Sequence, residues 1–207
     1  MFRKYGFLGI LLIISVEVNF FLQIQPFYTW AFPLIWLGYI LTIDALVYKL
    51  RGNSLISNRF YQFLGMLIIS AIFWWIFEFI NIQVQNWVYI GLENVGVWKD
   101  LFGFVSFSTV LPALFETTEL IMSIKLFDKR KLHRRHKVTK TFLYSMLILG
   151  IFCFIAPLLF PRYAFPLIWL SLFFILDPIN YLHKQPSIID HIKKGNWKIL
   201  LSLLLAG

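Results

Sequence analysis

Charge is scarce in this chain: 14% of its 207 residues are Asp, Glu, Lys or Arg, against about a quarter in ordinary soluble domains. That shortage excludes a conventional soluble domain. Cysteine is rarer still, with Cys153 alone, so intramolecular disulfides and cysteine metal clusters are excluded. The chain also lacks a Rossmann fingerprint, a P-loop, an HExxH and a GxSxG motif, which disfavours nucleotide-dependent catalysis. No cofactor and no metal are expected.

Apolar residues fill the space that charge leaves. Hydrophobic residues make up 59%, aromatics 19%, and the mean hydropathy is +0.75. Apolar runs near the length of about 20 residues that spans a bilayer lie at 6–24, 32–48, 61–82, 101–124, 142–160 and 165–181. An apolar stub at 197–207 is too short to cross. The fold class is therefore all-α: a polytopic transmembrane helical bundle with six full spans and a truncated seventh. The net charge of +9 is topological, because seventeen of the nineteen Lys and Arg fall in the N-terminus, 49–60, 125–141 and 182–198. These are alternate loops, so the positive-inside rule predicts a cytoplasmic N-terminus. No nucleic-acid partner is expected, and membrane lipids are. Glu17 and Asn19 interrupt the first apolar run and no small-x-small site follows it, which predicts a retained span rather than a cleaved signal.

AFPLIWL occurs at Ala31 to Leu37 and again at Ala164 to Leu170, an offset of 133 residues. The same offset pairs Asp44 with Asp177, Tyr48 with Tyr181, Ser54 with Ser187 and Ile56 with Ile189. An internal repeat of four helices follows from it. The even count predicts parallel units: a first repeat at 1–124, a basic cytoplasmic linker at 125–141, and a second repeat at 142–207. Counterparts of Glu78 and Asn81 would fall after Gly207, so the second repeat is expected to be truncated, part of a longer eight-span protein. Pro33 and Pro166 are predicted to open their helices, where a missing N–H costs nothing. Gly38 and Ser171, one repeat apart, suit close helix packing. His133 and His136 lie among too many cations to suggest a metal site.

Six of the ten acids, Glu17, Asp44, Glu78, Glu116, Glu119 and Asp177, lie in or at the ends of spans, and no Lys or Arg does. A carboxylate at mid-membrane costs about 2.5–3.5 kcal/mol on insertion scales, so each needs a proton, hydrogen-bond donors or an external cation. Asp44 and Asp177 share a repeated helix face with Leu37 and Tyr48 or Leu170 and Tyr181, and capping of an adjacent element is one role for them. Trp74, Glu78 and Asn81 follow helical spacing, which places an amide beside the acid and an aromatic wall above it. Pro112, Glu116 and Glu119 repeat that spacing, and Pro112 frees a backbone carbonyl near residue 108 for a ligand or a hydroxyl. The candidate ligand-binding residues are thus Trp74, Glu78, Asn81, Glu116, Glu119, Asp44 and Asp177, with Glu78 and Glu116 as candidate catalytic acids.

FPLIWLGYILTIDALVY, WWIFEFIN followed by NWVY, and STVLPALFETTEL together resemble an uncharacterised family of prokaryotic multipass membrane proteins built from two four-helix repeats. The likeness covers nearly the whole chain and implies this architecture in a prokaryotic plasma membrane, without an activity. Residues 73–119 are also similar to lycopene-cyclase-type membrane domains, which carry an acid beside tryptophan and a later Pro-x-Glu-Glu; here that element is Pro112 to Glu119, with the acids displaced. The favoured reading is a membrane-embedded structural or ligand-binding protein. One alternative is a lipid- or isoprenoid-processing enzyme using intramembrane carboxylic acids, and another is a proton- or cation-coupled transporter. The ligand would be an apolar small molecule or a cation, and oligomers are compatible with either.

Overall fold

A computed structural model describes residues 1–90, 96–127 and 137–207. Among them the chain is helical: α1 (Lys4–Leu22), α2 (Ala31–Arg51), α3 (Leu55–Asn58), α4 (Phe60–Val84), α5 (Lys99–Ser108), α6 (Val110–Ser123), α7 (Lys140–Leu159), α8 (Pro161–Ala164), α9 (Leu167–Leu182), α10 (Ile188–Lys193) and α11 (Lys198–Ala206). Five segments are long and apolar enough to cross a membrane, namely α1, α2, α4, the α5–α6 pair taken as Lys99–Ser123, and α7. The sixth apolar run forms α9, which at 16 residues is shorter than these. Such helices fit an integral membrane protein, because a helix satisfies its own backbone groups where water is absent. Pro33 falls in the first turn of α2, and Pro166 immediately precedes α9. His133, His136 and most of the basic linker at 125–141 lie outside the described residues.

The chain divides into two compact units that interleave along the sequence: Met1–Ile76, Tyr89–Leu126 and Ser202–Gly207 form the first, Phe77–Val88 and Phe127–Leu201 the second.

In the first unit α1 packs along α2, and α6 packs on α2 from another side. The α1–α2 approach needs glycine. A Cβ on Gly9 would lie 2.5 Å from the Gly38 carbonyl oxygen and 2.6 Å from Thr42 Oγ1, and one on Gly38 would lie 2.8 Å from the Gly9 carbonyl oxygen. Close backbone contact replaces the hydrophobic drive that lipid removes. Ile40, Leu55, Phe63 and Ala113 form a buried cluster, flanked by Tyr39, Ile56, Met66, Leu67 and Phe115.

The fourth apolar run is not one continuous helix. α5 ends at Ser108, α6 begins at Val110, and Pro112 occupies α6's first turn. In an unbroken helix the Leu111 N–H would bond to the Phe107 carbonyl, four residues back. Here Leu111 N–H donates to Ser70 Oγ at 3.0 Å, and the Ser70 hydroxyl donates to the Phe107 oxygen at 2.6 Å. A hydroxyl from α4 has entered the ladder, a recognised cause of helix bending. The Phe107 carbonyl, next to the Ser108 carbonyl that the proline itself deprives of a helical donor, is thus taken by a hydroxyl of the chain.

In the second unit α7 packs on α9. Gly150 permits this, because a Cβ there would lie 2.7 Å from Ile175 Cγ1 and 3.0 Å from the Ile175 backbone nitrogen. α7 starts with Thr139 as N-cap, its hydroxyl accepting from Phe142 N–H at 3.1 Å, which satisfies one of the four unpaired donors of a first turn.

Candidate functional site

Asp44 is fully buried on α2, one turn from Ile40 of the apolar cluster. Three donors converge on its carboxylate: the Ile56 N–H on Oδ1 at 2.7 Å, and on Oδ2 the Ser54 hydroxyl at 2.8 Å and the Tyr5 hydroxyl. Tyr5 in turn accepts from Ser57 Oγ at 2.7 Å, since its own proton faces Asp44. No lysine or arginine is needed, because hydrogen bonds to a charged group contribute about 1.5–3 kcal/mol each, enough together to offset burial of the carboxylate.

The equivalent Asp177, on α9 in the second unit, accepts from Ile188 N–H at 2.7 Å and Ile189 N–H at 3.0 Å. It caps the start of α10 as Asp44 caps the start of α3, with Ile56 and Ile189 separated by the same 133 positions as the acids. Hydroxyls mark the difference. Ser187 accepts from Asp190 N–H at 3.1 Å as a helix cap, whereas Ser54 donates to Asp44. The repeated tyrosines each meet a cation: the Arg3 guanidinium stacks 3.8 Å above the Tyr48 ring, and Lys193 Nζ donates to the Tyr181 hydroxyl at 2.9 Å. The Tyr181 contact raises the Lys193 ammonium above its ordinary value, and the hydrogen bond from Lys194 holds the exposed Asp190 carboxyl below its own.

Glu116, on α6 in the first unit, differs from the other acids among the described residues. Its exposure is 0%, and among the described residues no N–H or hydroxyl donor reaches either carboxyl oxygen. The Asp44 carboxyl lies within hydrogen-bonding reach of it, and Glu119 and Arg59 act on it by charge. By helix rise it lies about 10 Å from the end of α6 at Ser123. Nearby, Tyr39 donates to Thr117 Oγ1 at 2.6 Å and Thr117 donates to the Ala113 oxygen at 2.7 Å, so these hydroxyls serve each other and the backbone.

Glu119 follows one turn later. Arg59 Nη2 reaches both its oxygens, at 2.9 and 2.7 Å, and Arg51 Nη1 lies 3.9 Å away. The expectation that the span acids lack cationic partners is corrected here. Arg59 belongs to a loop by sequence, but its long side chain extends to α6 and lies 5.5 Å above the Phe115 ring, as amphipathic arginines do along apolar surfaces.

Trp74, Glu78 and Asn81 share helical spacing on α4 but serve different neighbours. In the first unit, Trp74 lies 5.7 Å from the Phe107 ring, beside the bend between α5 and α6, and its indole N–H points to the Tyr89 hydroxyl at 3.4 Å. In the second unit, Glu78 Oε1 accepts from the Trp87 indole at 3.1 Å. Asn81 closes the turn after α4, its amide accepting from Asn86 and Trp87 N–H and donating to the Trp87 oxygen at 2.8 Å. Asn19 does the same after α1, bonding Ile24 through both amide groups. Gln23 and Gln85, four residues after each Asn, both take positive φ, 54° and 49°. Asn81 is thus a C-terminal cap. Around Trp87 the rings of Phe165 and Trp169 lie at 5.7 and 5.8 Å, with Phe77 4.6 Å from Trp169.

No family model, curated protein or solved structure matches this chain. The site must be read from its own chemistry. Of the seven candidates, the structure brings Asp44, Glu116 and Glu119 into one neighbourhood of the first unit. Glu78 and Asn81 meet at Trp87, and Asp177 is a cap. Sequence reasoning missed Tyr5, Ser54, Ser57 and Arg59. The pairing of Ser54 with Ser187 alongside the repeated aspartates was a usable signal; nothing in the sequence ties Tyr5 or Arg59 to an acid.

Proposed function

We propose that this chain is an integral membrane protein whose ligand-binding centre is the buried carboxyl pair of Asp44 and Glu116, and that its ligand is a proton, as in a proton-coupled membrane transporter. The observation that carries this reading is Glu116, fully buried beside the Asp44 carboxyl, with no N–H or hydroxyl donor to either oxygen among the described residues. Protein interiors satisfy nearly all polar groups, and an exception calls for a functional explanation. Asp44 already receives three donors, which suits a carboxylate. Glu116 has two oxygens and no donor, so a proton is the species it can take without further ligands. A desolvated metal cation needs a shell of several oxygens, more than Glu116 offers.

The proposed setting is a bundle of six spans, with α9 as the sixth, arranged as two parallel repeats with the N-terminus in the cytoplasm. Positive charge on alternate loops supports it, as do the matched caps of Asp44 and Asp177. The test is infrared spectroscopy of the purified chain in lipid, titrated through neutral pH. A carbonyl band from a protonated carboxylic acid is expected in the wild type and is expected to vanish in Glu116→Gln. A wild type without such a band at any pH sinks the reading.

One observation favours a second reading, a lipid- or isoprenoid-processing enzyme. Glu78 is held by an indole that also contacts Phe165 and Trp169, and aromatic faces of this kind stabilise developing positive charge. Native membranes containing Glu78→Gln would then show an altered lipid or carotenoid profile, and an unchanged profile removes this alternative.

A further inference from the structure

A buried carboxyl that binds a proton must exchange it with water, and a graded series of side chains leads from α6 toward the surface. Glu116 is 0% exposed. The Glu119 side chain, one turn on, is 15% exposed, that of Arg59 is 28% and that of Arg51 is 41%. Residues three apart on a helix are neighbours on one face, so Glu116 and Glu119 follow each other along the same stripe. Arg59 Nη2 grips both oxygens of Glu119, while Arg59 Nε is buried with no partner among the described residues. Building on the proton-binding reading of Glu116, we infer that Glu119 is the relay through which that proton exchanges with water, and that Arg59 is its positioning residue.

The transfer balances simply. The O–H bond of Glu116 breaks, the electron pair stays on its oxygen, and the proton passes directly or through one water to a Glu119 carboxylate oxygen. Glu119 then releases it to bulk water and returns to its ion pair with Arg59. The groups that surround the pair explain the direction. Asp44 on α2 already accepts from Tyr5 of α1, from Ser54 and from the Ile56 N–H, so on that side Glu116 faces an acceptor whose donors are in place. Among the described residues, Arg51 and Arg59 place their positive charge against Glu119. Thr117 and Thr118 are turned to backbone carbonyls through their hydroxyls and offer no parallel route along the face.

The experiment is hydrogen–deuterium exchange of the Glu116 carboxylic-acid band, followed by time-resolved infrared spectroscopy on the full chain in lipid after dilution into heavy water. Glu119→Gln is expected to slow the shift of that band by about a hundredfold, the scale of a lost acid–base group, with the band itself retained. Glu119→Asp and Arg59→Lys should exchange at intermediate rates, and Arg59→Gln as slowly as Glu119→Gln. The conservative pair keeps the test informative if either amide variant fails to fold. A band that exchanges as fast in Glu119→Gln as in the wild type overturns the relay and leaves proton binding standing. Absence of the band from the wild type overturns proton binding itself, so the two failures are distinguishable.

Discussion

At the scale of single residues, the acids of this chain show that one residue type in one kind of place can have three fates. Asp44 and Asp177 are absorbed into capping, Glu119 is held by a reaching arginine, and Glu116 is left bare. The donor count predicts different costs for the two repeated aspartates. Asp44→Asn replaces an acceptor that serves three donors with one that offers a single oxygen, and should cost about 2–4 kcal/mol. Asp177→Asn, which disturbs two backbone donors, should cost about 1–2 kcal/mol. Unfolding in mild detergent checks the order; equal losses would mean that the hydroxyls of Tyr5 and Ser54 add nothing. Helical spacing placed Asp44 and Asp177 on a repeated face, and capping was among the roles open to them. Their donors could not be read, because Tyr5 lies 39 residues from Asp44 along the chain.

At the scale of elements, the bend between α5 and α6 depends on one hydroxyl. Ser70→Ala removes the partner of both Leu111 N–H and the Phe107 oxygen, and two buried backbone groups left unmet predict a loss of about 2–4 kcal/mol. The loss should appear in the same unfolding measurement, and a change below about 0.5 kcal/mol would show that water replaces the serine. On α1, Gly9→Ala drives a Cβ against the Gly38 carbonyl, so α1 must move off α2 at a cost of about 1–3 kcal/mol; Gly65→Ala, with nothing within 4 Å of the added carbon, is the control that should hold or gain stability. α10 carries a pH signature. Asp190 has a depressed pKa, so its contribution is present above the ordinary Asp value near 4 and disappears as pH falls through the depressed value. The first turn of α10 should therefore loosen in acid, visible as faster amide exchange at Ile188 to Asp190. Proline position announced a disturbed fourth run, but the serine that occupies it comes from α4, and periodicity within one helix carries no word of its neighbour.

At the scale of the whole molecule, the proposed topology has its own test. In a Cys153→Ser background, the single substitutions Asn53→Cys and Gln185→Cys, at exposed positions in two of the basic loops, should be labelled by an impermeant thiol reagent from one side, and Gln25→Cys from the other. Labelling of all three from one side would contradict the alternation. Composition and periodicity alone determined that the chain is helical and apolar enough for a membrane, because scarcity of charge and runs of span length leave few other solutions. They also marked which acids were out of place, since an ionisable residue in an apolar run is conspicuous wherever the run packs. Tertiary structure alone decided what each acid does. Whether a buried carboxyl caps a helix, pairs with Arg59 or stands without a donor depends on side chains delivered by helices far off in sequence, and hydrogen bonds act over about 3 Å of space, a distance on which chain separation is silent.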